Sequence, residues 1–175
     1  MKTVLIPSLV AAKNIDTLNA SFVSANDDID NGSVIVAGEL NNQVYNAEKP
    51  STDSLSGLYM VFTAEDTIVT DAMGNEYKIG INDPRTFTNV KGKVFSAFKL
   101  SVGDKVLISA EGLTGSANAY VEAVDGSYKL SYVATPTAGS TAFKVVDADA
   151  YMSIAGASAI GSQRVAAVLL ECVAN

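Results

Sequence analysis

At 175 residues, 48% apolar and 18% charged, the chain suffices for one ordinary domain, or for a compact domain with an arm, and is too apolar for a disordered acidic tail. Nineteen acids against twelve bases leave a net charge of −7, which argues against a nucleic-acid backbone as the main partner. There is no histidine and one cysteine, Cys172, which removes histidine-based nucleophile pairs and metal ligands, cysteine zinc clusters and internal disulfides; carboxylate or lysine chemistry stays open.

Residues 1–15 hold Lys2 and Lys13 and no acid, so the rest of the chain carries −9. The apolar run Val4 to Ala12 is short, is interrupted by Pro7 and leads into Lys13 rather than into a small-x-small cleavage site. It reads as an N-terminal arm, residues 1–20, rather than as a signal peptide. Pro7 disfavours the helical region for Ile6, so Val4-Leu5-Ile6 is extended. Without an amphipathic period, such a segment lies on its own core or adds as a strand to another sheet. No apolar run reaches the ~20 residues of a membrane-spanning helix.

The body, residues 21–175, reads as short strands between turns. A strand is expected around Ser21–Val23, then a polar turn ending in Asn31-Gly32, the β-branched run Val34-Ile35-Val36, and a short strand with Val44 and Tyr45. Pro50-Ser51-Thr52-Asp53 predicts a single helical turn through Leu55, ended by Gly57. Leu58 to Phe62 is almost continuously apolar and predicts a central strand buried on both faces. Thr67–Val69 and Glu76–Ile81 flank Met73-Gly74-Asn75 as a hairpin, and Asp83-Pro84-Arg85 is a turn.

Lys91-Gly92-Lys93 introduces Val94-Phe95. The clearest pattern follows: Phe98, Leu100 and Val102 alternate with Lys99 and Ser101, Gly103-Asp104 supplies a turn, and Val106-Leu107-Ile108 returns. A hairpin over 98–112 is the expectation. Further strands are expected at Tyr120–Ala123, Tyr128–Val133, Ala142–Val146 and Tyr151–Ile154, with GASAIGS a flexible connection. In the closing segment Arg164 to Val173 the alanines and leucines suit a helix, while the valines and the β context favour a strand, which is the expectation. Short strands with glycine-containing turns every 8–12 residues imply an all-β small barrel or sandwich.

Candidate sites are few. Asn26, Asp28 and Asp30 alternate as calcium ligands would, but Asn31 stands where the loop glycine belongs and Ala37 where a bidentate acid belongs, so the stretch reads as a solvated turn. Glu65-Asp66 and Asp147/Asp149 are the acid pairs a glycosidase would use, but without a tryptophan platform they read as solvent-face acids. The glycine-rich pieces lack the Walker lysine and the strand–turn–helix context of phosphate loops. Tyr120, Tyr128, Tyr132 and Tyr151 read as half-buried packing, and Cys172 as a core residue. Neither a cofactor nor a metal site is expected.

With IDNGSVIVAGEL behind a short acid-free arm, the central GLYMVFT run, and the order VGDKV, AEGLTG, PTAGSTAFKVV near the C-terminus, the chain resembles the head decoration (auxiliary capsid) proteins of tailed bacteriophages. The resemblance implies a non-enzymatic virion protein on the capsid surface, found in the host cytoplasm during assembly. Its β body would form a homotrimer at three-fold or quasi-three-fold sites. Thr3, Val4, Leu5 and Ile6 would contact the major capsid protein, with neither nucleic acid nor membrane as partner. Two other readings stand beside it: a tail- or fibre-associated phage β domain, and a carbohydrate- or small-ligand-binding β module.

Overall fold

The computed structural model describes residues 1–81, 83–155 and 162–175. In chain order its strands are β1 (Leu5–Leu9), β2 (Asn19–Val23), β3 (Val34–Asn41), β4 (Val44–Glu48), β5 (Tyr59–Val61), β6 (Asp66–Thr70), β7 (Glu76–Ile81), β8 (Val94–Lys99), β9 (Lys105–Ser109), β10 (Leu113–Thr114), β11 (Tyr120–Ala123), β12 (Leu130–Val133), β13 (Ala142–Ala155) and β14 (Ser162–Ala174). Among the described residues, helical structure is confined to 3-10 turns at Ala11–Lys13, Asp16–Leu18 and Ala110–Gly112. The all-β expectation holds, and the closing segment is a strand.

Five strands close a barrel in the order β2-β4-β3-β5-β8, seven form a sheet in the order β1-β9-β14-β13-β11-β12-β10, and β6-β7 is a separate hairpin. Inside the barrel, Phe22 stacks on Phe95 at 6.2 Å and meets Tyr59 edge-on at 5.1 Å, with Ile29, Ile35 and Val61 around them. A larger core joins barrel and sheet. Because strand partners share a face, Leu5, Ile108 and Val168 form one row, and Val106 and Leu170 the next. Both rows belong to a cluster with the barrel's Val34, Met60, Phe98 and Leu100. A third cluster, Val4, Met152, Ile154, Val165 and Ala167 with Leu107, lies apart from the other two.

The return strand lies where the sequence placed it, but the strand before Gly103-Asp104 ends at Lys99, with residues 100–102 outside it and Val102 70% exposed, and the two strands are not a hairpin. β8 pairs with β2 and β5 in the barrel, whereas β9 pairs with β1 and β14 in the sheet. A period of two and a glycine turn fix the strands and leave their partners open. Asp104, 3% exposed, makes the turn a junction: its two oxygens accept the Ala11 and Ser101 amides, each at 2.8 Å. The turn is also tied to β14 through Gly103 N to Cys172 O and Cys172 N to Asp104 O, each 2.8 Å.

Three other expectations need correcting. Residues 51–55 form a turn closed by a 2.8 Å hydroxyl contact between Ser51 and Ser54, with no helix. In the central strand Leu58, Met60 and Val61 are buried, but Tyr59 is half-buried and Phe62 is exposed, so burial is not two-sided throughout. The two strands expected at Ala142–Val146 and Tyr151–Ile154 are one strand of fourteen residues, whose register shifts near Asp147 hide its continuity. Of GASAIGS, residues 156–161 lie outside the described residues, and Ser162 begins β14.

Candidate interaction surface

The leading segment is not a free arm. Residues 5–9 form the edge strand of the large sheet, antiparallel to β9 with Leu5 opposite Ile108. Thr3, Val4 and Leu5 are 3%, 3% and 2% exposed, while Ile6, whose side chain takes the other face, is 40% exposed. The Val4 amide donates to Ser109 Oγ at 3.0 Å and the Ser109 amide donates back to Val4 O at 2.9 Å. Thr3 fits between two glycines: a Cβ at Gly112 would sit 2.6 Å from the Thr3 methyl, and one at Gly32 (φ +84°) 3.1 Å from it. Of the four residues expected to meet a partner, three are thus spent on the protein's own interior. The segment had two options, its own core or another sheet, and a slot lined by Ile108, Gly32 and Gly112 favours the first.

Asp28 and Asp30, which alternate as calcium ligands would, hold this segment and its neighbours in place. Asp30 accepts the Thr3 amide at 3.2 Å and the Thr88 hydroxyl at 2.8 Å, with the Lys2 ammonium 3.3 Å away. Asp28 accepts the Lys91 amide at 2.9 Å. Asn31 bridges to the Thr63 backbone and to Glu65 Oε1. Asp147 accepts the Asp149 amide at 3.0 Å on the exposed side of β13, far along the chain from Glu65. No three metal-binding side chains gather among the described residues.

The element with the longest open edges is the β13–β14 hairpin. Its strands of fourteen and thirteen residues are more than twice the usual five to six. β11 pairs with β13 only along Ala142–Lys144, and β9 with β14 only along Ala167–Glu171. From residue 151 to 155 and from 162 to 166 the hairpin is therefore a two-stranded ribbon about 16 Å long by strand rise, whose outer edges pair with no other described strand. One face carries Met152, Ile154 and Val165 and packs with Val4 and Leu107. The other presents Tyr151, 52% exposed, with the Arg164 guanidinium stacked 3.5 Å from its ring centroid. No local pattern marks this ribbon, because the acids of DADA break the alternation at the register shift.

The tyrosines serve different surfaces. Tyr128 donates to Asp27 Oδ2 at 3.2 Å beneath the Lys49 ammonium, which lies 5.1 Å from the ring centroid. Lys49, 3.1 Å away, holds the Asp27 carboxyl below the usual range despite a smaller opposing effect of burial. Tyr132 packs on the main core, and Cys172 is buried as expected.

A concavity opens on the barrel wall. β2 and β4 pair only at Phe22–Tyr45 and Val23–Asn46, so the start of β2 and the tip of the β3–β4 hairpin diverge. The gap is a cleft of 420 Å³ lined by Asn19, Ala20, Ser21, Leu40, Gln43, Tyr45 and Ser96. The tip is a two-residue turn with Asn42 at φ 50° and Gln43 at φ 66°, the left-handed pair such hairpins require. Asn41-Asn42 was the available sequence signal for that turn, but nothing in the sequence tied it to Asn19 or Ser96. No helix among the described residues is long and apolar enough to cross a membrane. No family model, curated protein or solved structure matches the chain.

Proposed function

We propose that this chain is a non-enzymatic structural component of a tailed-phage virion: it binds the outer surface of the capsid through the major capsid protein, as a trimer at three-fold or quasi-three-fold sites, and stabilises the shell. The observation that carries this reading is the β13–β14 ribbon, which offers two open backbone edges and an exposed Tyr151–Arg164 face. An open edge accepts a strand from another chain, and side chains on the presented face set which one. Repeating a modest contact around a trimer multiplies avidity and cross-links neighbouring shell subunits. The leading strand belongs to the protein's own sheet, and the ribbon rather than residues 3–6 makes the contact. The remaining support is the resemblance in the sequence and the all-β body.

The test is co-sedimentation with phage heads stripped of this protein, alongside the hydrodynamic mass of the free chain. Wild type should pellet with heads, and Tyr151→Ala combined with Arg164→Glu should lose at least about tenfold in affinity while melting within a few degrees of wild type. Equal pelleting of the double variant would remove the ribbon's role. Gold-labelled protein found on tails or fibres rather than heads would replace the reading with a tail component.

A further inference from the structure

We propose that the cleft between β2 and the tip of the β3–β4 hairpin binds a neutral saccharide of one or two rings. Its 420 Å³ falls within the range of small-molecule sites. The residues around it are all uncharged: the amide-bearing Asn19 and Gln43, the hydroxyl-bearing Ser21, Ser96 and Tyr45, and the apolar Ala20 and Leu40, with no carboxylate, ammonium or guanidinium in the lining. A sugar ring presents the complement, a rim of hydroxyls that donate and accept and one apolar C–H face that lies on an aromatic or aliphatic platform.

The polar groups are available and held in position. Among the described residues, the side chains of Ser21, Gln43 and Ser96 and the Tyr45 hydroxyl make no hydrogen bond within the protein. Asn19 spends its Nδ2 on Ala12 O at 2.9 Å, which orients the amide and leaves Oδ1 as an acceptor. The Tyr45 ring is fixed against Phe22, 5.6 Å between centroids. Gln43 sits in a left-handed conformation that long side chains rarely adopt, at the tip that forms one wall.

Other occupants fit less well. Phosphate or carboxylate ligands would meet no cation. An extended peptide needs a run of open backbone, and only residues 19–21 of β2 lack a partner on this side before β4 takes over at Phe22. The inference does not depend on capsid binding and is tested on the isolated full chain.

The test is a two-dimensional amide NMR titration with neutral hexoses, N-acetylhexosamines and their disaccharides, with a neutral tetrapeptide as a separate arm. At least one sugar should give saturable shifts confined to residues 19–21, 40–45 and 96. Gln43→Ala and Ser96→Ala should each weaken it about fivefold to tenfold, the effect of one lost hydrogen bond, and Tyr120→Ala should leave it unchanged. Both cleft variants are exposed or surface-lining, and their spectra report folding independently of binding. The absence of saturable shifts with every sugar, unchanged affinity in both cleft variants, or binding of the tetrapeptide alone would each overturn the proposal.

Discussion

At the scale of single residues, buried and half-buried polar side chains of this protein act as fasteners between distant segments. Asp104 accepts amides from Ala11 and Ser101, and Asn175 accepts from Leu58 N and Thr141 Oγ1 while donating to Leu100 O at 2.7 Å. Asp104→Ala would leave two amides without acceptors at a buried junction. We expect a loss of about 2–5 kcal/mol in denaturant unfolding, with Asp104→Asn losing roughly half as much because one acceptor oxygen remains. A second expectation concerns pH. Burial, then the Asp104 charge, pushes the Cys172 thiol from 9.0 up to about 11. Burial, then the Asp27 charge, pushes the Tyr128 hydroxyl from 10.0 up to about 12. Each group keeps its proton to higher pH when folded, so its stabilising contribution is complete below the unfolded value. It is lost as pH rises, over 9–11 for Cys172 and 10–12 for Tyr128. Melting temperature should fall across this window, and Cys172→Ala should flatten its lower part. An unaltered pH profile in that variant would count against the thiol's share.

At the scale of elements, the edge strand β1 illustrates how one residue's offset changes a role. Leu5 is 2% exposed and faces the main core, whereas Ile6 is 40% exposed on the other face. Leu5→Ala should cost about 2–5 kcal/mol and Ile6→Ala under about 1 kcal/mol, measured by urea unfolding. Limited proteolysis gives the same contrast: cleavage between residues 10 and 19 should accelerate in the first variant only. Deleting residues 1–9 should release the slot beside Ile108, Gly32 and Gly112 and destabilise the whole body. A truncated chain as stable as the parent would restore the independent arm that the sequence suggested.

At the scale of the molecule, barrel and sheet share one continuous core, in which Met60 and Phe98 from the barrel cluster with Val106 and Leu170 from the sheet. Neither layer can keep its apolar face dry alone, so calorimetry should give a single transition with equal calorimetric and van't Hoff enthalpies. Two resolved transitions would separate the layers. The topology also bears on folding rate: β14, near the C-terminus, lies between β9 and β13, and β1 waits for β9 a hundred residues later. Such long closures make refolding slow relative to helical chains of equal length.

The amino-acid order alone determined most strands and turns of this protein, because side-chain alternation, β-branched runs and glycines or asparagines at left-handed turns act over a few residues. The runs Val34–Val36, Tyr120–Ala123 and Val106–Ile108 were legible for that reason, as was the burial of Cys172. Partnership was not legible. A strand's pattern says which face is apolar and not which chain segment will cover it, so β8 and β9 looked like a hairpin and β1 like an arm. The open edges of the β13–β14 ribbon and the barrel cleft are set by where pairing between segments far apart in the chain ends, with β11 and β9 stopping short along the hairpin and β4 parting from β2. Where pairing ends depends on the shape of the assembled core, a property that no local stretch of sequence contains.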